Sequence, residues 1–125
     1  MSESKDTLRK IASALGASGV ALGALGSHAL KDTLTKRGTL ASWQTATIYQ
    51  IFHAAAILSL SCGGSSGSSS PSNALAGKAM ALGTLLFSGS IYGLSLNLGP
   101  KALLGPTTPI GGLLMIGGWI LVGLG

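Results

Sequence analysis

Long apolar stretches without formal charge, separated by short charged or turn-forming segments, set the pattern of this chain. The first runs from Ile11 to Leu30, twenty residues bounded by Arg9 and Lys10 on one side and by Lys31 and Asp32 on the other. At 1.5 Å per residue, a helix of that length covers a hydrocarbon core of about 30 Å. The second, Trp43 to Leu60, opens on a tryptophan of the kind found at membrane interfaces and dissolves into a Ser- and Gly-rich segment, 61–73. The third is free of charge from Ala79 to Leu98 and stops at Gly99-Pro100-Lys101. The last follows Pro106 and runs to Gly125; Thr108 is placed to cap it, with Pro109 in a first turn that needs no N–H.

Lipid offers no hydrogen bonds, so a spanning segment must satisfy its own backbone as a helix or join a closed barrel. These runs are too long and alternate too poorly for barrel strands. The pattern therefore predicts an all-α integral membrane protein, a four-transmembrane-helix up-and-down bundle forming a single domain over 1–125. Its helices are expected near 8–30, 43–62, 74–98 and 108–124. Short connections at 31–42 and 99–107 make consecutive helices antiparallel neighbours. The segment 61–73 reads as a flexible linker. An even number of spans puts both termini on one side of the membrane.

Composition narrows the class. Charged residues make up 9% of the 125 residues and the mean hydropathy is +0.55, whereas an ordinary soluble domain carries about 25% charge. A water-soluble enzyme domain, a nucleic-acid binder and a disordered tail are all excluded on that ground. The net charge of +5 comes from eight Lys and Arg against three acids, all at or near the edges of the apolar runs. That is membrane flanking and not a nucleic-acid stripe. Lys5, Arg9, Lys10 and Lys78 balance Lys31, Lys36, Arg37 and Lys101 on the opposite side, so the positive-inside rule gives a tie. The single cysteine, Cys62, rules out an intrachain disulfide. Glu3 and Asp6 suit neither a transit peptide nor a signal peptide, and the first apolar run is expected to be retained.

Glycine and serine add packing information. Gly19, Gly23 and Ser27 recur every four residues in the first span, and Gly89 and Gly93 do so in the third. Small residues at that spacing let membrane helices approach closely. Packing within the bundle is the reading taken here, ahead of a dedicated dimerisation face; Gly111-Gly112 and Gly117-Gly118 in the fourth span support it.

Polar side chains inside the spans are the candidates for function. At 100° per residue, Thr45, Tyr49, Gln50 and His53 fall within an arc of about 140°, opposite Ile48, Ile51, Phe52 and Leu58. The arc is expected to face protein, where His28 of the first span and Ser88, Tyr92 and Ser95 of the third can meet it. A buried ionisable group in a membrane is a functional candidate, because charging it there is expensive. Two histidines can relay protons, ligate haem or chlorophyll, or bind a metal through neutral imidazole. The plainer reading is preferred: neutral His53 hydrogen-bonds to its neighbours and fixes helix register, and His28 sits at the interface beside Lys31.

No catalytic constellation is legible. No carboxylate lies within a span, so a two-carboxylate site or carboxylate proton wire has no members. Two histidines without acids or cysteines at ligand spacing make a weak metal site, and Cys62 has no histidine near it in sequence. No glycine-rich stretch follows a strand or carries the Lys-Ser/Thr of a phosphate loop. Neither a catalytic residue nor a resident cofactor is assigned.

Four motifs recur here in one order: Gly23-Ala24-Leu25-Gly26-Ser27-His28-Ala29-Leu30; Trp43-Gln44-Thr45-Ala46 with Tyr49-Gln50-Ile51-Phe52-His53; Leu86-Phe87-Ser88-Gly89-Ser90-Ile91-Tyr92; and Thr108-Pro109-Ile110-Gly111-Gly112 with Gly118-Trp119. In these, over about Ile11 to Val122, the chain resembles the domain of unknown function 423 family, which includes YgdD-like inner-membrane proteins and transmembrane protein 256. The resemblance implies a small multi-pass protein of a bacterial inner membrane or of an organellar membrane, mitochondrial inner or thylakoid, and no established activity. His28, Tyr49, Gln50, His53, Ser88, Ser90 and Tyr92 are intact. The Ser/Gly-rich second loop and the lack of a charged tail after the fourth span depart from the family pattern.

The expectation is a non-enzymatic membrane protein whose partners are the bilayer and other membrane-protein subunits. It would be an accessory or structural subunit of a larger respiratory or photosynthetic complex, or a homo-oligomer. The alternatives are a small transporter or channel using the polar face around His53, and haem or chlorophyll ligation by His53 or His28.

Overall fold

A computed structural model describes residues 3–62 and 71–125. Among them it has five helices and no strand: α1 (Glu3–Ser27), α2 (Lys31–Arg37), α3 (Leu40–Cys62), α4 (Pro71–Leu96) and α5 (Lys101–Leu124). α1, α3, α4 and α5 are long and apolar enough to cross a membrane. Residues 63–70 of the Ser/Gly-rich segment lie outside the described residues, and with them most of the expected linker. Its edges are helical: Ser61 and Cys62 close α3, and Pro71, Ser72 and Asn73 open α4.

The chain goes up and down. Gly16 faces Ala54 and Gly23 faces Thr47, which makes α1 and α3 antiparallel. Ser88 meets Ala46, and Arg37 and Thr39, just before α3, reach Ser95 near the end of α4, so α3 and α4 are antiparallel too. Gly77 near the start of α4 touches Leu8 near the start of α1, and Gly93 faces Leu104 while Gly118 faces Met80. Both described ends of the chain therefore lie at one end of the bundle, and α2 lies at the other. A core of Leu8, Ala12, Leu15, Ala54, Ile57, Met80 and Ala81 packs where α1, α3 and α4 meet.

Several boundaries differ from the sequence expectation. The first helix begins at Glu3 and ends at Ser27, closed by bonds from His28 N to the Ala24 carbonyl (3.0 Å) and Leu30 N to the Leu25 carbonyl (2.8 Å). The expected connection 31–42 contains α2, one-sided in its burial, which plugs the bundle end with a fully buried Leu34. Gly38, at φ 70°, turns the chain out of α2, with Gly38 N and Thr39 N bonded to the Thr35 and Leu34 carbonyls. Asn97, at φ 57°, does the same for α4, with Leu98 N donating to the Gly93 carbonyl at 2.8 Å.

The largest correction concerns α5. It starts at Lys101 after an extended Pro100, and Pro106 and Pro109 lie inside it. Thr108 is therefore not a cap; its hydroxyl pairs with that of Ser90 on α4. The rule that proline opens a helix is calibrated in water, where a freed carbonyl can find solvent. In lipid a broken helix leaves several groups unsatisfied, whereas a continuous one loses only the bonds to the prolines. The Thr107 hydroxyl donates to the Leu103 carbonyl at 2.7 Å just beyond Pro106.

α4 and α5 approach most closely through glycine. A Cβ at Gly111 would run into the backbone nitrogen of Phe87, one at Gly83 would sit 2.7 Å from the Gly111 carbonyl oxygen, and one at Gly118 would sit 3.1 Å from that of Ala76. Of the glycines singled out from sequence, Gly19 and Gly93 face side chains at 2.8 Å and 2.9 Å, Gly23 has one ordinary contact at 3.9 Å, and Gly89 faces open space. Gly111→Val should therefore cost about 1–3 kcal/mol of stability through overpacking, read as a lower thermal midpoint by circular dichroism in detergent. Gly89→Ala should leave that midpoint unchanged.

Candidate functional site

α3 is the helix that both α1 and α4 flank, and its polar side chains carry the contacts between them. Gln50, 4% exposed, donates from Nε2 to the Leu15 carbonyl (2.9 Å) and to Ser18 Oγ (2.8 Å) on α1. Its Oε1 accepts from the Tyr92 hydroxyl of α4 at 2.7 Å. One amide thus ties three membrane-crossing helices. The Ser18 hydroxyl is itself fixed on the Ala14 carbonyl at 2.7 Å. Gln50 reaches α1 because Gly19 leaves room: a Cβ there would lie 3.4 Å from Gln50 Cγ and 2.8 Å from Ile51 Cγ1.

The same device recurs one heptad away. Trp43, 2% exposed, donates from Nε1 to the Leu22 carbonyl of α1 at 2.9 Å, and its ring fills the notch left by Gly26. Its other face meets the Tyr92 ring, with centroids 4.7 Å apart. Trp43 is thus a buried interhelix donor, not the interface anchor that its position at the start of a span suggested. On the α4 side, the Ser88 hydroxyl donates to the Ala46 carbonyl at 2.8 Å.

His53 is also buried, at 5% exposure, and takes its partners from two helices. Trp119 of α5 donates from Nε1 to His53 Nε2 at 3.1 Å. An indole nitrogen can only donate, so Nε2 is the unprotonated nitrogen of the ring. His53 Nδ1 then carries the hydrogen and donates to the Tyr49 carbonyl at 2.9 Å. Phe52 and Tyr49 pack around this pair, with Phe52 5.9 Å from Trp119 and Tyr49 4.9 Å from Phe87 between ring centroids.

The expected polar arc is therefore split. Gln50 and His53 point into protein, together with Tyr92 and Ser88, whereas Thr45 is exposed and Tyr49 is 43% exposed. The arc treats α3 as having one protein-facing direction, but α3 packs against α1 and α4 and leaves the side toward α5 open. His28 lies in the turn after α1, is exposed, and does not reach the cluster. Ser90 bonds to Thr108 and to the Phe87 carbonyl, away from Gln50. Ser95 is buried at the α2 end, where its carbonyl accepts Arg37 Nε (2.8 Å) and Thr39 Oγ1 (3.0 Å). Among the described residues no three His, Cys, Asp or Glu side chains come together as a metal site. Sequence reasoning missed Trp43, Gly26, Ser18 and Trp119 as site residues; the signal for the first two was the shared seven-residue spacing of Gly19/Gly26 and Trp43/Gln50.

Residues 22–112 match the model of a protein family of unknown function, DUF423. A UPF0382 membrane protein of Schizosaccharomyces pombe is 40% identical over 90 residues, which cover 72% of this chain and 73% of that protein. A UPF0382 membrane protein of Staphylococcus epidermidis is 39% identical over 77 residues, covering 62% of this chain and 61% of that protein. No solved structure matches.

Interhelical hydrogen bonds in membranes average about 0.6 kcal/mol and reach about 1.7 kcal/mol. On that scale Gln50→Leu, which removes three such bonds, should destabilise the bundle by about 1–2 kcal/mol and Tyr92→Phe by about 0.6 kcal/mol. The double variant should cost less than the two singles together, because they share one bond. Reversible unfolding in mixed micelles gives all three values.

Proposed function

The chain belongs to the DUF423 family, whose relatives are membrane proteins, and from that premise we propose that it is a non-enzymatic accessory or structural subunit of a larger membrane assembly. The observation that supports this most is how its buried polar groups are used. Gln50, Trp43, Ser88, Tyr92 and His53 all spend them on bonds from one helix to another. Chemistry needs a group held in reserve; a scaffold needs its groups committed. The His53 Nε2 lone pair is likewise taken by the Trp119 N–H, which weighs against its ligating a haem iron or a chlorophyll magnesium. α5 presents Ile110, Leu113, Ile116, Ile120 and Leu124 outward with no charge among them, a surface suited to lipid or to a neighbouring helix.

A second reading, a small transporter or channel using the polar face around His53, draws on one observation. The buried Thr84 Oγ1 has no partner among the described residues and lines a cavity of about 190 Å³ beside Gln50, Ser88 and Tyr92, members of the same polar cluster, though His53 itself does not line it.

Gentle extraction from the native membrane, native-gel separation and mass spectrometry of the band carrying this chain separate the two. Comigration with other membrane subunits at a mass well above 12.4 kDa is the expected result. A strictly monomeric particle overturns the proposal. The transport reading instead requires a flux in proteoliposomes that His53→Ala abolishes without loss of expression.

A further inference from the structure

α5 packs its backbone against α4. No Cα of α5 lies within 8 Å of one in α3 among the described residues, and Trp119 bridges the gap through His53 and Phe52. The result is a groove walled by α3 and α5 and floored by α4. These two walls run in the same direction, since Thr45 and Thr108 line one cavity and His53 lies level with Trp119 further along. Thr45, Tyr49 and His53 step along one wall by four residues, as Thr108, Gly112 and Ile116 do along the other. At the α2 end the groove holds a cavity of about 450 Å³. A second cavity of about 290 Å³ lies one helical turn further along both walls, toward the middle of the bundle.

Its Thr and Ser hydroxyls are gathered in the outer part. The outer cavity mixes hydroxyl-bearing residues, among them Thr45, Ser95 and Thr108, with the apolar Ile91, Leu94 and Pro109. The inner one is lined by Tyr49, His53, Phe87, Gly112, Met115 and Ile116, with Trp119 at its far end. Two polar groups of the outer cavity are left in want of partners. Ser95 Oγ is buried at 1% exposure and has no hydrogen-bond partner among the described residues. Pro109, lacking an N–H, withholds the bond that the Gly105 carbonyl would otherwise accept, and both residues line the cavity.

Positive charge stands beside the outer cavity. Arg37 is pinned by its Nε to the carbonyl of Ser95 at 2.8 Å, and Lys101 lies one turn before Gly105, on the same face of α5. Neither is in an ion pair among the described residues. Lys31 and Lys36 belong to the same end, which has Asp32 as its one acid.

We propose that this groove is a binding site for one anionic glycerophospholipid, its phosphate between Arg37 and Lys101 and an acyl chain laid along Tyr49, Gly112 and Ile116 toward Trp119. The head-to-tail order of the groove is that of a lipid in the leaflet on that side: charge at the interface, hydroxyls at the depth of the glycerol esters, then hydrocarbon. The Gly105 carbonyl, whose helical partner Pro109 has no N–H, is available on the cavity wall to accept from a headgroup hydroxyl. A neighbouring protein helix would satisfy the apolar half alone and leave the basic, hydroxyl-lined half unmatched.

The test is native mass spectrometry of the full chain released from nanodiscs of equimolar phosphatidylglycerol and phosphatidylcholine. One phosphatidylglycerol retained per chain, in preference to phosphatidylcholine, is expected. Arg37→Gln and Lys101→Gln should each lower that retention by about fivefold, the worth of one basic residue beside an anionic lipid, without changing retention of phosphatidylcholine. Gly112→Leu should abolish retention by filling the inner groove; its Cβ would meet Phe87 at an ordinary 3.8 Å, so helical content is expected to persist by circular dichroism. Lys101 is exposed and outside the packing, so its variant decides the matter even if loss of Arg37 loosens α2. Retention of no lipid, equal retention of the two lipids, or indifference to Lys101→Gln overturns the proposal.

Discussion

The side-chain amide of Gln50 and the indole of Trp43 enter α1 by the same route, and the rest of the bundle is arranged around that entry. Each donates to a carbonyl of α1 that already serves the helix, Leu15 in one case and Leu22 in the other, and each does so at a glycine four residues further on, Gly19 or Gly26. In water, apolar burial would press such helices together. In a bilayer the lipid tails are as apolar as the side chains, so close packing and hydrogen bonds must hold them instead. The glycine removes the side chain that would block the approach, and the donor occupies the space it leaves. Neither half works without the other.

A different solution joins α4 to α5. There the backbones themselves touch, at Gly83, Gly111 and Gly118, with one hydroxyl pair, Ser90 and Thr108, near the α2 end. Packing that close fixes α5 on the flank of α4 and holds it off α3. The gap that results is not a fault in the packing: Trp119 spans it at one end, and hydroxyl-bearing residues line it at the other. α3 is thus bound on two sides by hydrogen-bonded neighbours and left open on a third.

This arrangement explains which parts of the structure were legible in the sequence. The four spans and their up-and-down order follow from where charge is absent, because the bilayer imposes that rule on composition and no tertiary detail is needed. Gln50 and His53 were identifiable as inward-facing because a polar group in lipid must find a partner. The polar arc could not show that Thr45 and Tyr49 face outward, since a single hydrophobic direction cannot describe a helix with two neighbours at an angle to one another. α2 escaped notice because seven residues carry too little periodicity, and it buries Leu34 only by packing against α1, α3 and α4. The start of α5 was misplaced by a proline rule that holds where water can take up freed backbone groups. Gly26 and Trp43 escaped a search at four-residue spacing, because the contact they form repeats every seven.

The pair of His53 and Trp119 links the polar interior to the position of α5. The indole N–H requires an unprotonated Nε2, and the Nδ1 hydrogen is already directed to the Tyr49 carbonyl. A proton placed on Nε2 would set two N–H groups against each other, and one of them would have to turn away. Trp119 is the residue through which α5 reaches α3, so that displacement would also remove the bridge across the groove. Carrying a proton at His53 and holding α5 in place are therefore competing uses of one nitrogen. The geometry commits that nitrogen to holding α5. That competition is the argument on which the proposed structural role of His53 rests.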